Sequence, residues 1–185
     1  SYKGLGANLL HLSYCHQIAK RFGPISLITL CPNLDKVLKD DPSFKEVIYL
    51  NKFHRKFFDL LRLSSFIKKF NFDNIFIFYP SIRHYLSSKL AGIKNVYHYP
   101  LLNKKNLHLV KAAKRFTEKS LNIENCPTET KILINHSKIE KYKTNNLKKI
   151  ILGISSSGPT TKWGYSNFIK LIKRLNQLDD FYFYL

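Results

Sequence analysis

Hydrophobic residues recur along the chain with two different periods. Short, continuous runs rich in Ile, Val, Leu and Phe predict buried strands at 25–30, 46–50, 74–79, 94–98, 150–154 and 181–185. Between them, apolar residues spaced three and four apart predict amphipathic helices at 9–22, 34–39, 54–70, 81–90, 107–121 and 168–175. On the helix over 54–70 the predicted apolar face includes Leu60, Leu61 and Ile67.

The alternation of strand and helix predicts an α/β protein with a parallel sheet. It is interrupted between 126 and 146 by a polar, lysine-rich stretch, which indicates a domain boundary. We therefore expect a first domain over 1–147 and the start of a second domain over 148–185. The chain has no methionine and ends on an apolar strand, so we expect an internal fragment that lacks its first strand.

The chain is strongly basic, with a net charge of +19 and a pI near 9.9. Most of this charge is lysine mixed with Asn, Ile, Phe and Tyr, which is typical of an AT-rich genome. A nucleic-acid binder would cluster basic and stacking aromatic residues, whereas most aromatic residues here fall in apolar positions. We therefore expect no nucleic-acid partner. The most basic helix face is either solvated or turned to an anionic acceptor, and it consists of Lys111, Lys114, Arg115 and Lys119.

Cysteine and histidine spacing argues against metal binding. Cys15, Cys31 and Cys126 are odd in number and far apart, which predicts buried or free thiols in a reducing cytoplasm. The seven histidines show no metal-ligand spacing with carboxylates or cysteines. No apolar run approaches the roughly 20 residues of a membrane span, and no signal peptide is visible.

Hydroxyl and glycine residues fill the loop between the strand at 150–154 and the helix that follows it. Such a loop opens onto a helix N-terminus, where free N–H groups and the helix dipole favour an anion such as a diphosphate. Ser166 or Asn167 is positioned to cap that helix. An ordinary connection built from turn residues is an equally good interpretation. The loop residues that suit an anion are Ser155, Ser156, Ser157, Gly158, Thr160, Thr161 and Lys162.

A second glycine-containing segment lies at the start of the chain. If a strand precedes Ser1, Gly4 and Gly6 form the first strand-to-helix turn of a doubly wound domain. The alternative is a flexible end, because Gly-x-Gly is a common sequence.

Three stretches resemble glycosyltransferase family 9, the heptosyltransferases of lipopolysaccharide core synthesis. The segment at 4–33 is similar to the family's opening glycine turn, helix and strand, and the segment at 73–100 to its mid-domain strand, helix and strand. The most specific is ILGISSSGPTTKWGYSNFIKLIKRL, which resembles the start of the family's second domain.

The resemblance implies the GT-B architecture of two facing Rossmann-like domains, with the acceptor mainly on the first and the nucleotide-sugar mainly on the second. It implies inverting, metal-independent transfer, without a cofactor, from an ADP-heptose-like donor to an anionic saccharide-lipid acceptor. The location implied is the cytoplasm, at the inner face of the bacterial inner membrane, with peripheral membrane association. By position, the hydroxyls of the 155–161 loop and the ammonium of Lys162 would hold the donor diphosphate.

Two departures from the family pattern bear on activity. Lys-x-Trp-Pro is here Lys162-Trp163-Gly164, one residue shorter and without the proline. The family's Gly-Asp, whose aspartate is the expected general base, is here replaced by Gly6-Ala7-Asn8, which has no aspartate. Neither alanine nor asparagine accepts a proton at pH 7. The nearest titratable side chain is that of His11, which is either the base or an ordinary, partly buried helix histidine.

The missing aspartate leaves a second class of function open. A non-catalytic nucleotide- or phosphate-binding Rossmann-like module needs no general base. A GT-B nucleotide-sugar epimerase shares the architecture but needs acid and base residues that the sequence does not offer. As a fragment with one wall of the cleft, the chain by itself is expected to be inactive.

Overall fold

The computed structural model describes residues 4–50, 59–100, 108–133, 147–154 and 163–185. The chain divides into two compact units, 1–134 and 135–185. Each unit alternates helices and parallel strands, so the predicted α/β class is confirmed. No helix in these described ranges is both long and apolar enough to cross a membrane.

The first unit contains ten elements within its described residues. In chain order they are α1 (Leu5–Leu9), α2 (Leu12–Phe22), β1 (Ile25–Thr29), α3 (Leu34–Leu38), β2 (Phe44–Tyr49), α4 (Leu60–Lys68), β3 (Asn74–Ile77), α5 (Ile82–Leu90), β4 (Asn95–His98) and α6 (Leu109–Leu121).

The strands of the first unit form two parallel pairs. β1 pairs with β2, in register from Ser26 opposite Glu46 to Thr29 opposite Tyr49. β3 pairs with β4, from Asn74 opposite Asn95 to Ile77 opposite His98. The prediction of parallel strands is confirmed, but in the described residues β1 and β3 belong to separate sheets.

Helix α2 ends where the sequence predicts. Gly23 has a φ of 83°, a conformation that favours glycine, and its N–H donates to the carbonyl of Ala19 at 2.8 Å. Two hydrogen bonds then fix α2 to α6: the Tyr14 hydroxyl donates to the carbonyl of Val110 at 2.8 Å, and Arg21 donates to the carbonyl of Leu121 at 2.5 Å.

The apolar face predicted for α4 is partly wrong. Leu61 is 70% exposed, whereas Leu63, Ser64 and Ile67 are buried. Successive helical residues are rotated by about 100°, so Leu61 lies outside the stripe formed by the other three. The prediction for 51–58 falls outside the described residues.

The second unit contains the parallel pair β5 (Lys148–Ile151) and β6 (Phe181–Tyr184), with α7 (Tyr165–Leu175) between them in the chain. The amphipathic helix predicted at 168–175 is confirmed as part of α7. Its apolar residues Phe168, Leu171, Ile172 and Leu175 are half-buried, and Lys170 and Lys173 are exposed. The predicted caps are wrong. The helix begins at Tyr165 with Gly164 as its N-cap, so Asn167 lies in the first turn, where its Nδ2 donates to the carbonyl of Trp163 at 2.6 Å.

Candidate active site

The start of the chain lies at the carboxyl end of β1. Thr29 Oγ1 donates to Asn8 Oδ1 at 3.1 Å and accepts from the N–H of Cys31 at 3.0 Å. The Nδ2 of Asn8 donates to the carbonyl of Gly4 at 2.7 Å. Both ends of the Asn8 amide thus make contacts within the chain, which suits a positioning residue. Asn8 cannot serve as a base, because an amide takes up no proton at neutral pH.

His11 lies between α1 and α2 and is 5% exposed. Its Nδ1 is 2.6 Å from the carbonyl of Ala7, so Nδ1 carries the hydrogen and Nε2 the lone pair of the neutral ring. The ring packs edge-on against Phe78, with centroids 5.2 Å apart. Burial lowers the pKa of His11 below its usual 6.5, which keeps the imidazole neutral at pH 7.

The glycine segment leads directly into a helix, and its role as a strand-to-helix turn stays a prediction. Gly4 is the N-cap of α1 in an extended conformation with a φ of −81°, and Gly6 lies within α1. Neither glycine adopts the left-handed region, and neither would meet a neighbour within 4 Å if it carried a Cβ. The backbone at Gly4 and Gly6 therefore has no requirement for glycine, because the chain enters a helix here directly.

Two further histidines lie near the carboxyl ends of β3 and β4: His84 is in α5, which follows β3, and His98 is the last residue of β4. The Ser81 hydroxyl caps α5 by accepting from the N–H of His84 and lies 3.1 Å from His84 Nδ1. The N–H of Ser81 donates to His98 Nε2 at 3.1 Å. Burial lowers the pKa of His84 to about 4 and lowers that of His98 as well. The sequence pattern does not mark these residues, although His84 follows the predicted strand at 74–79 and His98 ends the one at 94–98.

A cleft of about 570 Å³ runs through the first unit. Its lining is mostly apolar, and its polar side chains include those of Asn8, His11, His84 and Ser88. The structure therefore brings Asn8 and His11 to the same cleft as His84. The cleft therefore places the neutral imidazoles of His11 and His84 beside an apolar space.

The three cysteines are free and buried, as predicted. Burial raises the pKa of Cys15, which lines the cleft, to about 12, so its thiol stays protonated and is a poor nucleophile. Among the described residues, no group of three or more His, Cys, Asp or Glu side chains is placed to hold a metal ion.

The predicted diphosphate loop lies outside the described residues, so the positions of Ser155, Ser156, Ser157, Thr160, Thr161 and Lys162 stay predictions. The residues that follow it are described. Trp163 is 52% exposed and packs edge-on against Phe168 at 4.9 Å. Gly164 has a φ of 85°, which proline cannot adopt. Proline therefore does not fit this position in the observed conformation.

The basic face of α6 is turned largely to solvent. Lys111, Arg115 and Lys119 are exposed, and Lys114 is 3.6 Å from Glu118 one turn along the helix. Exposed lysines of this kind suit either of the two predicted roles, a solvated face or contact with an anionic acceptor.

Parallel strand pairs and flanking helices define the chain as an α/β protein. The fold resembles that of glycosyl transferase family 9 from Veillonella parvula, with a TM-score of 0.66 and 16% identity, over 97% of this chain and 59% of that one. It also resembles ADP-heptose lipopolysaccharide heptosyltransferase II from E. coli, with a TM-score of 0.62 and 14% identity, over 95% of this chain and 60% of that one.

The predicted resemblance to glycosyltransferase family 9 is thus confirmed at the level of the fold. The chain spans about three fifths of the length of these two solved structures. No family model and no curated protein sequence matches it.

Proposed function

We propose that the chain belongs to an inverting, metal-independent glycosyltransferase that moves a heptose-like sugar from a nucleotide-diphosphate donor to a lipopolysaccharide-type saccharide acceptor. The observation that supports this most is the likeness in fold over nearly the whole chain to two glycosyltransferases, one of them an ADP-heptose enzyme by its description. In this proposal the first unit serves the acceptor and the second unit begins the donor domain of a GT-B enzyme.

The proposed chemistry is a single displacement. An acceptor hydroxyl gives its proton to Nε2 of His11 while its oxygen attacks the anomeric carbon of the donor sugar. The bond from that carbon to the diphosphate oxygen breaks, and the electron pair leaves with the diphosphate. Lys162 and the loop hydroxyls stabilise the charge that develops there. Attack opposite the leaving group inverts the anomeric centre.

His11 is suited to this role by its tautomer and limited by its burial. With Nδ1 donating to Ala7, the lone pair of the neutral ring is on Nε2. Nε2 is itself buried, so an acceptor hydroxyl has to displace neighbouring side chains to reach it. Asn8 would then hold the segment before His11 against Thr29.

A second candidate function is a nucleotide- or phosphate-binding module without catalysis. Ala7 and Asn8 stand where the family pattern places an aspartate, and neither supplies a base. Such a module would bind the donor through the same loop and transfer nothing.

Calorimetry on the full-length protein tests the donor site. We expect ADP and ADP-heptose to bind more tightly than UDP, and Lys162→Ala to weaken ADP-heptose binding by more than tenfold, about 1.4 kcal/mol. Lys170→Ala is the matched control, because Lys170 is exposed on α7 outside the loop. An unchanged affinity in Lys162→Ala would remove Lys162 from the site.

Turnover separates the two candidate functions. If His11 is the base, His11→Asn lowers kcat by about 100-fold or more and leaves donor affinity unchanged. His108→Asn is the control, since His108 is exposed and asparagine also caps a helix. Donor binding without measurable transfer in the unaltered protein would favour the binding module.

We also propose a cytoplasmic location with peripheral contact to the inner face of the inner membrane, where an anionic saccharide-lipid acceptor would be met. The positive charge of the chain and the exposed basic face of α6 support this.

A further inference from the structure

Helix α5 carries large apolar side chains on its outer face. Ile82, Leu86 and Leu90 follow one another at steps of four residues, so they form a single row along the helix, named here the α5 stripe. The three side chains are 54%, 39% and 57% exposed. A helix on the surface of a globular domain normally turns such a row towards the core. The α5 stripe instead leaves in water the side chains that gain most from burial.

The inner face of α5 is polar. Ser87 and Ser88 are fully buried. The Ser87 hydroxyl donates to the carbonyl of Leu60 in α4 at 3.1 Å, and the Ser88 hydroxyl donates to the carbonyl of His84 at 2.8 Å. A buried hydroxyl without a partner is costly, so these bonds favour the side of the helix that turns inward. The packing of α5 therefore directs the α5 stripe outward.

Basic side chains border the α5 stripe on both sides. Lys89 is seven residues after Ile82, and Arg83 is seven residues before Leu90. Seven residues make almost two full turns, so each basic residue lies about 20° outside the stripe. Lys89 is exposed, Arg83 is half-buried, and the segment 79–98 contains no acidic residue. An apolar row bordered by cations is typical of a helix that lies in the surface of an anionic bilayer.

Charge also distinguishes the partners that could cover the α5 stripe. The neighbouring helix α4 and the residue after it add three exposed cations, Arg62, Lys68 and Lys69. A second copy of the chain would bring its own net charge of +19 against this face and would be repelled. An anionic lipid surface is attracted by the same charge, and its acyl region accepts apolar side chains.

The basic face of α6 lies on the other side of the β3–β4 pair. Ile75 of β3 packs in one cluster with Leu63 of α4 and with Ala91 at the end of α5. Its neighbour Phe76 packs in another cluster with Phe116 of α6. Successive side chains of a strand point to opposite faces, so α5 and α6 cover opposite faces of this pair. A flat membrane can therefore contact the α5 stripe or the basic face of α6, but not both at once.

We propose that the α5 stripe docks the protein on an anionic lipid bilayer, with its apolar side chains inserted at the level of the headgroups and with Lys89 and Arg83 beside the lipid phosphates. The proposal rests on the membrane contact proposed above and names the surface that makes it.

Docking through α5 also orients the first unit. The helix follows β3, and the N–H of Ser81, its N-cap, donates to Nε2 of His98 at the end of β4. The first turn of the α5 stripe therefore lies near the carboxyl ends of β3 and β4. Ligands of parallel sheets bind at this edge, so the docked helix brings the edge close to the lipid.

Sedimentation of the full-length protein with vesicles tests the contact. The vesicles contain equal parts of phosphatidylglycerol and phosphatidylcholine, and vesicles of phosphatidylcholine alone measure binding that needs no anionic lipid. The variant combines Leu86→Gln with Leu90→Gln, because glutamine favours a helix and removes apolar surface. The matched control combines Ile132→Gln with Leu133→Gln, two apolar residues of the same unit that are exposed to a similar degree.

We expect the α5 variant to bind the anionic vesicles at least roughly tenfold more weakly than the unaltered protein, because two leucine side chains no longer leave water. The control variant should bind as the unaltered protein does. Circular dichroism and thermal melting establish that each variant is folded.

A fluorescent label gives a second measurement that needs no loss of binding. An environment-sensitive fluorophore attached to Leu86→Cys should brighten on the anionic vesicles, whereas the same label on Leu133→Cys should not. The three native cysteines are buried and so are poorly placed to take the label.

Equal binding by the α5 variant and the unaltered protein overturns the proposal, and so does a larger loss when Lys111 and Arg115 of α6 are both changed to glutamine. Self-association that the α5 variant abolishes identifies a second copy as the occupant and overturns it as well. If the unaltered protein does not bind the anionic vesicles, both this proposal and the membrane contact on which it rests are wrong. Binding is measured without glycosyl transfer, so a failure of the proposed activity is seen separately.

Discussion

Burial, more than any charged neighbour, determines the protonation of His11, His84 and His98. For His11, His84 and His98 the largest cause of a lowered pKa is loss of hydration. His84 shows the strongest effect, with a pKa of about 4 and a buried Nε2 for which no hydrogen-bond partner is present among the described residues. Arg83 and His98 lower this pKa further by charge repulsion.

This shift predicts a loss of stability in acid. Between pH 6.5 and about 4 the unfolded chain binds a proton at His84 that the folded chain does not. The free energy of unfolding should therefore fall as the pH is lowered through this window, by at most about 3 kcal/mol from this residue, and His84 should have no effect above it. Urea unfolding at several pH values measures the slope.

His84→Gln should reduce the dependence of the free energy of unfolding on pH. Part of the dependence that remains should come from His11 and His98. His108→Gln is the control substitution, because it removes an imidazole from an exposed position. If His84→Gln unfolds with the same pH dependence as the unaltered chain, His84 does not titrate as described.

For Asn8 and His11, the sequence alone could propose a place in the site but not the contacts that hold them there. The absence of the family's aspartate indicates Asn8 and His11, and the structure places Asn8 at the carboxyl end of β1 and His11 against Phe78, the residue after β3. Their contacts with Thr29 and Phe78, over twenty residues away in the chain, depend on tertiary packing. His84 and His98 were missed because a histidine near the end of a strand has no periodicity that marks it.

At the scale of single elements, the start of α7 depends on one backbone conformation. Gly164 has a φ of 85° and a ψ of 139°, a region that is open mainly to glycine. An added Cβ would meet only the Nδ2 of Asn167, at 3.9 Å, so space is not the obstacle. The constraint is the dihedral angle itself.

Replacing Gly164 should therefore destabilise the second unit. We expect Gly164→Ala to lower the free energy of unfolding by about 1–3 kcal/mol, and Gly164→Pro by more, because proline fixes φ near −65°. Thermal unfolding measures both. Gly153→Ala is the control, since that glycine has open space and no left-handed φ. Equal melting temperatures for Gly164→Ala and the unaltered chain would contradict the assigned conformation.

Element positions were predictable because the apolar period is local. The ends of α2 at Gly23 and of α5 near Gly92 follow from glycine's access to positive φ, which is 83° at both. The errors arose at helix starts. Leu61 was placed on the wrong face of α4, and Asn167 was taken as a cap of α7, because the first residue of a helix determines which side chains turn inward.

At the scale of the whole molecule, the net charge of +19 should draw the chain to anionic surfaces. We expect sedimentation with vesicles that contain anionic lipid at low salt, and progressive release as salt rises, because the Debye length falls from about 10 Å at 0.1 M to about 3 Å at 1 M. Vesicles of zwitterionic lipid alone are the control. Equal binding to both kinds, or none at low salt, would contradict an electrostatic association.

The sequence by itself determined the α/β class, the order and approximate limits of the elements, the buried thiols and the likeness to glycosyltransferase family 9. These follow from short-range periodicity, turn residues and local motifs, which need no knowledge of distant contacts. Only the tertiary structure decided that β1 and β3 face a common cleft, that His11 is buried against Phe78, and that His84 lines the same space. Packing between residues far apart in the chain creates those relations, and hydration lost in that packing lowers the pKa of His11 and His84.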